Sequence, residues 1–194
     1  MSQVKTIIGI FAVILTFLGY IPYIRDILKN KTHPHVYSWF LWGFVTMIAF
    51  ALQISDHAGP GAFVTLAAAF LCGVVFILSI FKKGKKDIVS RDTFCFILAF
   101  IALGLWFIAK QPVLSAILTT LTDILGFIPT IRKSWSKPYS ETLSFYLLNA
   151  VRFFLALFAL ERYTIITALY PFTWLLGNGL FALMLFIRRK HIPA

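Results

Sequence analysis

The sequence is short of charge, and most of all of acidic charge. Only 13% of its 194 residues are charged, whereas an average soluble domain carries about 25%. Just seven residues are Asp or Glu. The stretches 6–24, 36–55, 57–81 and 93–109 contain no Asp, Glu, Lys or Arg at all. No polar stretch exceeds about a dozen residues, which excludes a separate soluble domain.

Several patterns that carry chemistry are also missing. There is no Gly-rich phosphate loop and no Ser-His-Asp, CxxC or HExxH pattern, so we expect neither an enzyme nor a bound cofactor. The two cysteines, Cys72 and Cys95, lie in apolar runs and are predicted to be buried thiols rather than a disulfide. His33 and His35 have no nearby carboxylate or thiol, and we expect no metal site. No signal-peptidase site follows the first apolar run, which is therefore kept as a membrane helix.

Apolar residues dominate what is present. They make up 60% of the chain, and the mean hydropathy is +0.87. The charge-free runs match the roughly 20 residues that a helix needs to cross a bilayer. The sequence therefore predicts an all-α membrane protein with seven transmembrane helices. The predicted spans are 5–25, 36–55, 59–81, 92–109, 112–132, 140–160 and 164–187.

The basic residues predict the orientation of the chain in the membrane. Fourteen of the 18 Lys and Arg residues fall on one side, and Arg152 belongs to neither side. Because cytoplasmic loops are enriched in Lys and Arg, we expect a multi-pass protein of the cell (inner) membrane with its N-terminus outside and its C-terminus in the cytoplasm. The net charge of +11 is explained by this bias, and no nucleic acid partner is expected. The 14 residues are Arg25, Lys29, Lys31, Lys82, Lys83, Lys85, Lys86, Arg91, Arg132, Lys133, Lys137, Arg188, Arg189 and Lys190, against Lys5, Lys110 and Arg162 on the other side.

One heptapeptide pattern occurs twice. GYIPYIR at 19–25 returns as GFIPTIR at 126–132, an offset of 107. At an offset of 106 the second span matches the sixth, with Ser38 on Ser144 and Thr46 on Arg152. Spans 1–3 are thus predicted to repeat as spans 5–7, and span 4 has no counterpart. The predicted units are a first three-helix bundle (1–83), a linker loop and linker helix (84–110) and a second three-helix bundle (111–194).

This arrangement resembles the SWEET and PQ-loop (MtN3-like) superfamily of small-solute transporters, in the form of a bacterial-type seven-helix member. The resemblance implies two parallel bundles joined by an inversion linker helix (3+1+3), with the third helix of each bundle between the first two. It also implies that Asn178 in the seventh span touches substrate, where the first bundle has Cys72. In the PQ-loop pattern the repeated proline precedes glutamine, whereas here Pro22 precedes Tyr23 and Pro129 precedes Thr130.

The repeated prolines predict two matched kinks. Proline removes one backbone hydrogen bond from a helix, and membranes tolerate this where neighbouring groups replace it. We interpret Pro22 and Pro129 as hinges for alternating access, with Gly19 and Gly126 adding slack. The alternative is a pair of static kinks that only shape packing.

Five residues are predicted to bind substrate. Each lies on a face of span 5, 6 or 7 whose residues recur at helical spacing. These faces contain Ser115, Thr119, Thr122 and Asp123 in span 5; Phe145, Asn149, Arg152 and Ala156 in span 6; and Thr167, Tyr170, Pro171, Trp174 and Asn178 in span 7. Charged groups within a membrane usually face a cavity or a partner. The alternatives are a structural ion pair between Asp123 and Arg152, and an interhelical hydrogen bond of Asn178. The predicted substrate-binding set is Asp123, Asn149, Arg152, Trp174 and Asn178.

Taken together, these features favour a carrier that moves a small polar metabolite, such as a sugar, a vitamin or an amino-acid-like solute. Transport would be facilitative or coupled to a proton held by Asp123. One chain supplies both bundles, so a monomer suffices, and a homo-oligomer stays an alternative. The competing hypothesis is a seven-helix membrane receptor or sensor on the same scaffold that binds ligand without net transport.

Overall fold

The computed structural model describes residues 2–82 and 111–192, together with positions 89, 90, 93, 94, 96, 97, 100, 101 and 108. The predicted linker helix over 92–109 therefore lies largely outside the described residues. Among the described positions of that stretch, Phe96 stacks on Tyr37 with 4.3 Å between ring centroids.

The ranges 2–82 and 111–192 contain six α-helices and no strand. Five of these helices are long and apolar enough to cross a membrane, and α5 is shorter, at 16 residues. The chain is therefore a multi-pass helical membrane protein. The helices are α1 (Ser2–Leu28), α2 (Val36–Ser55), α3 (Ala62–Phe81), α4 (Pro112–Ser136), α5 (Leu143–Phe158) and α6 (Ile165–His191).

The observed helix ends test the predicted span limits. The span predicted over 36–55 is confirmed at both ends by α2. The span predicted to end at 132 is wrong at its C-terminus, because α4 continues to Ser136. The sixth span, predicted over 140–160, is shorter, since Pro138–Ser140 forms a 3-10 turn and α5 begins only at Leu143.

Large apolar side chains are exposed on the outside of the bundle, where a water-soluble protein would have polar side chains. Along α1, Ile7, Ile10, Phe11 and Ile14 are each at least 49% exposed. The polar residues that the spacing places on one face of each of α4, α5 and α6 are buried instead. An apolar exterior around a polar interior is the distribution expected of a helix bundle in lipid.

The helices pack as two triplets, α1–α3 and α4–α6. Helix α3 contacts both α1 and α2, and α6 contacts both α4 and α5. Between the triplets, α1 packs on α5 and α2 packs on α4. The six helices therefore follow one another around a closed ring in the order α1, α3, α2, α4, α6, α5.

Side-chain hydrogen bonds show which helix ends lie together. Lys82 at the end of α3 donates to the carbonyl of Leu28 at the end of α1 (3.4 Å). Lys133 near the end of α4 pairs with Glu141 just before α5, and Arg189 near the end of α6 donates to the Glu141 carbonyl (2.6 Å). We call this the basic end of the bundle, and the other the opposite end.

The glycine of the repeated heptapeptide lies where the two triplets touch. A Cβ on Gly19 of α1 would stand 3.3 Å from Cβ of Leu148 in α5, and a Cβ on Gly126 of α4 would stand 3.3 Å from Cβ of Leu41 in α2. Both distances are shorter than ordinary side-chain contacts. The glycines therefore allow helices to approach closely, and the expected role as slack beside the proline is not needed to explain them.

These contacts also correct the predicted alignment of the second and sixth spans. Leu41 and Leu148 occupy equivalent places at an offset of 107, so the offset of 106 is wrong by one residue. The residue equivalent to Arg152 is therefore Val45 and not Thr46. The predicted alignment matched Ser38, which is buried, with Ser144, which is exposed. A shift of one residue turns a helix face by roughly 100°.

Helices α1 and α4 run unbroken through Pro22 and Pro129. Pro129 is buried and Pro22 half-buried, so both rings lie against neighbouring helices. The repeated proline therefore occupies the interior of a long helix in each triplet, close to the basic end.

Candidate functional site

All five residues predicted to bind substrate line one cavity inside the ring of helices. Helix α4 contributes Asp123, α5 contributes Asn149 and Arg152, and α6 contributes Trp174 and Asn178. None of the five is more than 6% exposed. Much of the remaining wall is aromatic and includes Tyr20, Trp39, Trp42, Phe127, Phe145 and Tyr170.

The carboxylate of Asp123 is fixed on one side only. Its Oδ2 accepts a hydrogen bond of 2.5 Å from the indole N–H of Trp174. A second indole, that of Trp42, donates to the Asp123 backbone carbonyl at 3.3 Å. The Tyr170 hydroxyl lies near the carboxylate, but Oδ1 has no hydrogen-bond partner within 3.5 Å among the described residues. One oxygen of a buried carboxylate is thus left available.

The guanidinium of Arg152 is likewise held from one side. Its Nε donates to Oδ1 of Asn149, and Asn149 in turn donates through Nδ2 to the Phe145 carbonyl at 2.9 Å. The only other hydrogen bond found for it within the described part of the chain is a long one of 3.5 Å to the carbonyl of Val64. Asn149 is therefore placed to orient Arg152.

Asp123 and Arg152 do not form an ion pair, and no described carboxylate lies within 4.0 Å of the Arg152 guanidinium. The two residues lie on α4 and α5, and α6 packs between these helices. Trp174 from α6 occupies one oxygen of Asp123. Of the two predicted arrangements, a direct pair or two charges facing a shared cavity, the structure has the second.

Among the described residues, Asn178 makes no interhelical hydrogen bond, which is the alternative to a binding role. Its Nδ2 donates to the Trp174 carbonyl, one turn earlier in the same helix, at 2.6 Å. At the matching place in the first triplet, Cys72 also lines the cavity and lies 3.3 Å from the Tyr20 hydroxyl. The second triplet thus supplies every charged group of the cavity wall.

The cavity is small, and the side chains that line it are almost fully buried. Its volume is about 40 Å³, and one water molecule needs about 10–15 Å³ on this measure. The space therefore accommodates a few waters but no metabolite. Binding of a larger solute requires the triplets to separate.

At the basic end the triplets are joined by a buried polar network that we call the basic-end closure. Lys133 and Glu141 form an ion pair of 2.5 Å, with side chains only 1% and 0% exposed. The other carboxylate oxygen of Glu141 accepts hydrogen bonds from Tyr23 of α1 (2.8 Å) and Tyr146 of α5 (2.9 Å). Lys133 also donates to the carbonyl of His33 in the loop between α1 and α2.

The sequence did not predict this network. Lys133 was counted among the loop charges that set the orientation, and Glu141 was not singled out. In the structure Lys133 is a buried residue of α4, because its charge is matched by Glu141 and by backbone oxygen. A Lys and a Glu eight residues apart across a span end are a weak signal, since the sequence does not show that Tyr23 joins them.

At the opposite end the triplets meet through a more exposed set of contacts, the opposite-end closure. Asp56 after α2 accepts from Arg162 at 2.8 Å and from the hydroxyl of Thr164. Gln53 donates to the Thr167 carbonyl at 3.2 Å. The side chain of Arg162 is 56% exposed. The two triplets are therefore hydrogen-bonded to each other at both ends of the bundle.

No family model matches the chain, and neither the curated proteins nor the solved structures provide a match. What the chain does must therefore be inferred from the cavity, its unpaired charges and its two closures.

Proposed function

We propose that the protein is a membrane carrier that moves a small polar metabolite by alternating access. In this proposal the chain has seven spans on a 3+1+3 scaffold like that of the SWEET and PQ-loop transporters, with 92–109 as the linker helix. The N-terminus lies outside the cell membrane, and the basic end lies in the cytoplasm.

The observation that carries the proposal is that Asp123 and Arg152 line one buried cavity and that neither has an ion-pair partner among the described residues. An ionisable group at membrane depth costs at least ~2.5–3.5 kcal/mol. Asp123 keeps a free oxygen, and Arg152 has no carboxylate partner among the described residues. Burying the Asp123 carboxylate and the Arg152 guanidinium without pairing them costs free energy. This cost is explained if a solute binds to both groups during part of the transport cycle.

The two closures supply the second requirement of a carrier. Each joins one triplet to the other at one end of the bundle, so opening one while keeping the other exposes the cavity to one side only. The present structure then corresponds to a state closed to both sides. Pro22 and Pro129 lie near the basic end in equivalent places, where we propose that they act as hinges.

Solute flux in reconstituted vesicles tests the proposal. Proteoliposomes would be loaded in turn with radiolabelled sugars, amino acids and B vitamins, and exchange would be compared with protein-free vesicles. We expect saturable exchange of at least one solute, a loss of at least ten-fold in Arg152→Gln, and little change in the exposed control Arg25→Gln. Protein-dependent exchange that is equal in Arg152→Gln would contradict a role for this cavity.

Proton coupling and the hinges are tested in the same vesicles. If Asp123 carries the coupling proton, Asp123→Asn abolishes acceleration by an imposed pH gradient, and if Asp123 also binds the solute, exchange at equilibrium falls as well. The double variant Pro22→Ala/Pro129→Ala should exchange more slowly while binding solute equally well. Unchanged exchange in that variant would remove the hinge role.

A receptor or sensor is the second candidate, and the asymmetry of the cavity wall favours it. The charged groups come only from α4 and α5, as a site built for binding rather than for passage could be. Specific binding of a solute by the purified protein, without flux of that solute in vesicles, would select the receptor.

A further inference from the structure

We propose that the solute bound in this cavity is a zwitterion of the amino-acid type. Its cationic group would bind Asp123, its carboxylate would bind Arg152, and its side chain would lie among the aromatic rings. This inference rests on the proposed function, because it names the class of solute for the same cavity.

The side of the cavity at Asp123 fits a cation. Oδ1 is buried and has no hydrogen-bond partner among the residues described, while Oδ2 is held by Trp174. Trp42 and Trp174 both line the cavity beside it, with their ring centroids 5.8 Å apart and at 80° to each other. An ammonium group at this place would donate a charge-assisted hydrogen bond to Oδ1.

The side at Arg152 fits a carboxylate. Asn149 accepts from Nε and so orients the guanidinium, while the terminal nitrogens have, among the described residues, only the 3.5 Å hydrogen bond to the Val64 carbonyl. A planar guanidinium with free terminal donors binds a carboxylate through parallel hydrogen bonds. The Phe153 ring lies 4.1 Å from the guanidinium carbon and covers one of its faces.

The balance of charge distinguishes a zwitterion from other solutes. The described cavity wall carries one formal negative and one formal positive group, and they do not pair. A solute with a single charge would neutralise one and leave the other buried without a partner, and a sugar would neutralise neither. Only a solute with both charges satisfies both groups, and its own net charge of zero adds nothing to the interior.

The aromatic part of the wall indicates an apolar portion in the solute. Tyr20, Phe145 and Trp39 pack in mutual contact, with centroid distances of 4.8 Å for Tyr20–Phe145 and 5.8 Å for Trp39–Phe145. Separation of the triplets would expose these rings to whatever enters. An apolar or aromatic side chain on the zwitterion would cover them.

Equilibrium binding to the full chain in lipid nanodiscs tests the inference. The probes are the 20 standard amino acids, and each binder is compared with two matched compounds, the amine that lacks its carboxylate and the acid that lacks its amino group. L-phenylalanine, phenethylamine and 3-phenylpropanoate form one such set. We expect at least one amino acid to bind about ten-fold or more tightly than both of its matched compounds.

Binding to substituted proteins tests which residue contacts which charged group of the solute. In Arg152→Gln the amino acid should bind no more tightly than its amine, and in Asp123→Asn no more tightly than its acid. Arg25→Gln and Glu161→Gln, which change exposed residues, should leave the differences intact. Should either cavity variant fail to fold, the matched compounds on the unaltered protein still decide the question.

The outcomes separate this inference from the proposed function. Binding of no amino acid, or equal binding of an amine or acid alone, overturns the zwitterion, even if protein-dependent flux of a sugar or nucleoside upholds the carrier. Selective binding of an amino acid without flux upholds the zwitterion and overturns the carrier.

Discussion

The two ends of the bundle close the same cavity with different chemistry. At the basic end the ion pair between Lys133 and Glu141 is buried, with both side chains at most 1% exposed. At the opposite end Arg162 is 56% exposed and Asp56 14%. Removing one member of a buried pair costs about 3–5 kcal/mol, whereas an exposed pair contributes about 0–1 kcal/mol.

This difference indicates which end opens more readily. The Lys133–Glu141 pair lies within the second triplet, and Tyr23 and the His33 carbonyl of the first triplet bind to it. Opening this end therefore breaks those hydrogen bonds and exposes two buried charges to water. The opposite-end closure combines the more exposed Arg162–Asp56 pair with neutral hydrogen bonds from Thr164 and Gln53 and with close backbone packing, so it buries no ion pair. We therefore expect the resting protein to open first at its opposite end, which the proposed orientation places outside the cell.

The largest effect is expected at the basic end. Lys133→Met leaves Glu141 buried without its cation and should lower the free energy of unfolding by about 3–5 kcal/mol. The double variant Lys133→Met/Glu141→Gln should recover part of this loss, because no unpaired charge remains. Unfolding of the purified protein in mixed micelles measures both values. A single variant as stable as the parent protein would contradict the buried pair.

An intermediate effect is expected from the close packing at the opposite end. A Cβ on Gly61 would stand 2.7 Å from the backbone oxygen of Ala156. Gly61→Ala should therefore push the triplets apart there and cost about 1–3 kcal/mol. The matched control is Gly73→Ala, since a Cβ on Gly73 would meet no atom of a neighbouring element within 4 Å in the described part of the chain. Equal melting temperatures for the two variants would refute the close approach.

The smallest effect is expected for the exposed ion pair. Arg162→Gln should lower the free energy of unfolding by at most about 1 kcal/mol, and less at high salt, because solvent screens the interaction. A loss as large as that in Lys133→Met would remove the contrast between the two ends. The same micelle measurement, at low and at high salt, compares them directly.

The features that could be predicted from the sequence are those that depend on helical periodicity and on the length of apolar runs. The polar faces of α4, α5 and α6 follow from helical spacing, and residues such as Thr122, Tyr170 and Asn178 are buried as that spacing requires. The limits of α2 follow from its charge-free run. The gathering of the five candidate residues around one cavity follows from the same faces, once the triplets are packed as a ring.

The remaining features depend on contacts between distant residues. The shared register of Leu41 and Leu148 appears only when both leucines are seen against Gly126 and Gly19. The burial of Lys133 depends on Glu141 and on the carbonyl of His33, 100 positions earlier in the chain. The sequence of a single helix and its flanking loop carries at most a weak signal for these features.

The most direct test of the central claim is whether water reaches the cavity from each side of the membrane. Cys72 lines the cavity and is only 5% exposed, so its thiol can react with a membrane-impermeant methanethiosulfonate only when the cavity opens. In a Cys95→Ser background, His191→Cys and Ser55→Cys serve as exposed controls at the basic and the opposite end. We expect Cys72 to react from both sides, faster from the opposite end. Cys72 that stays unmodified from both sides, while both controls react, would contradict alternating access.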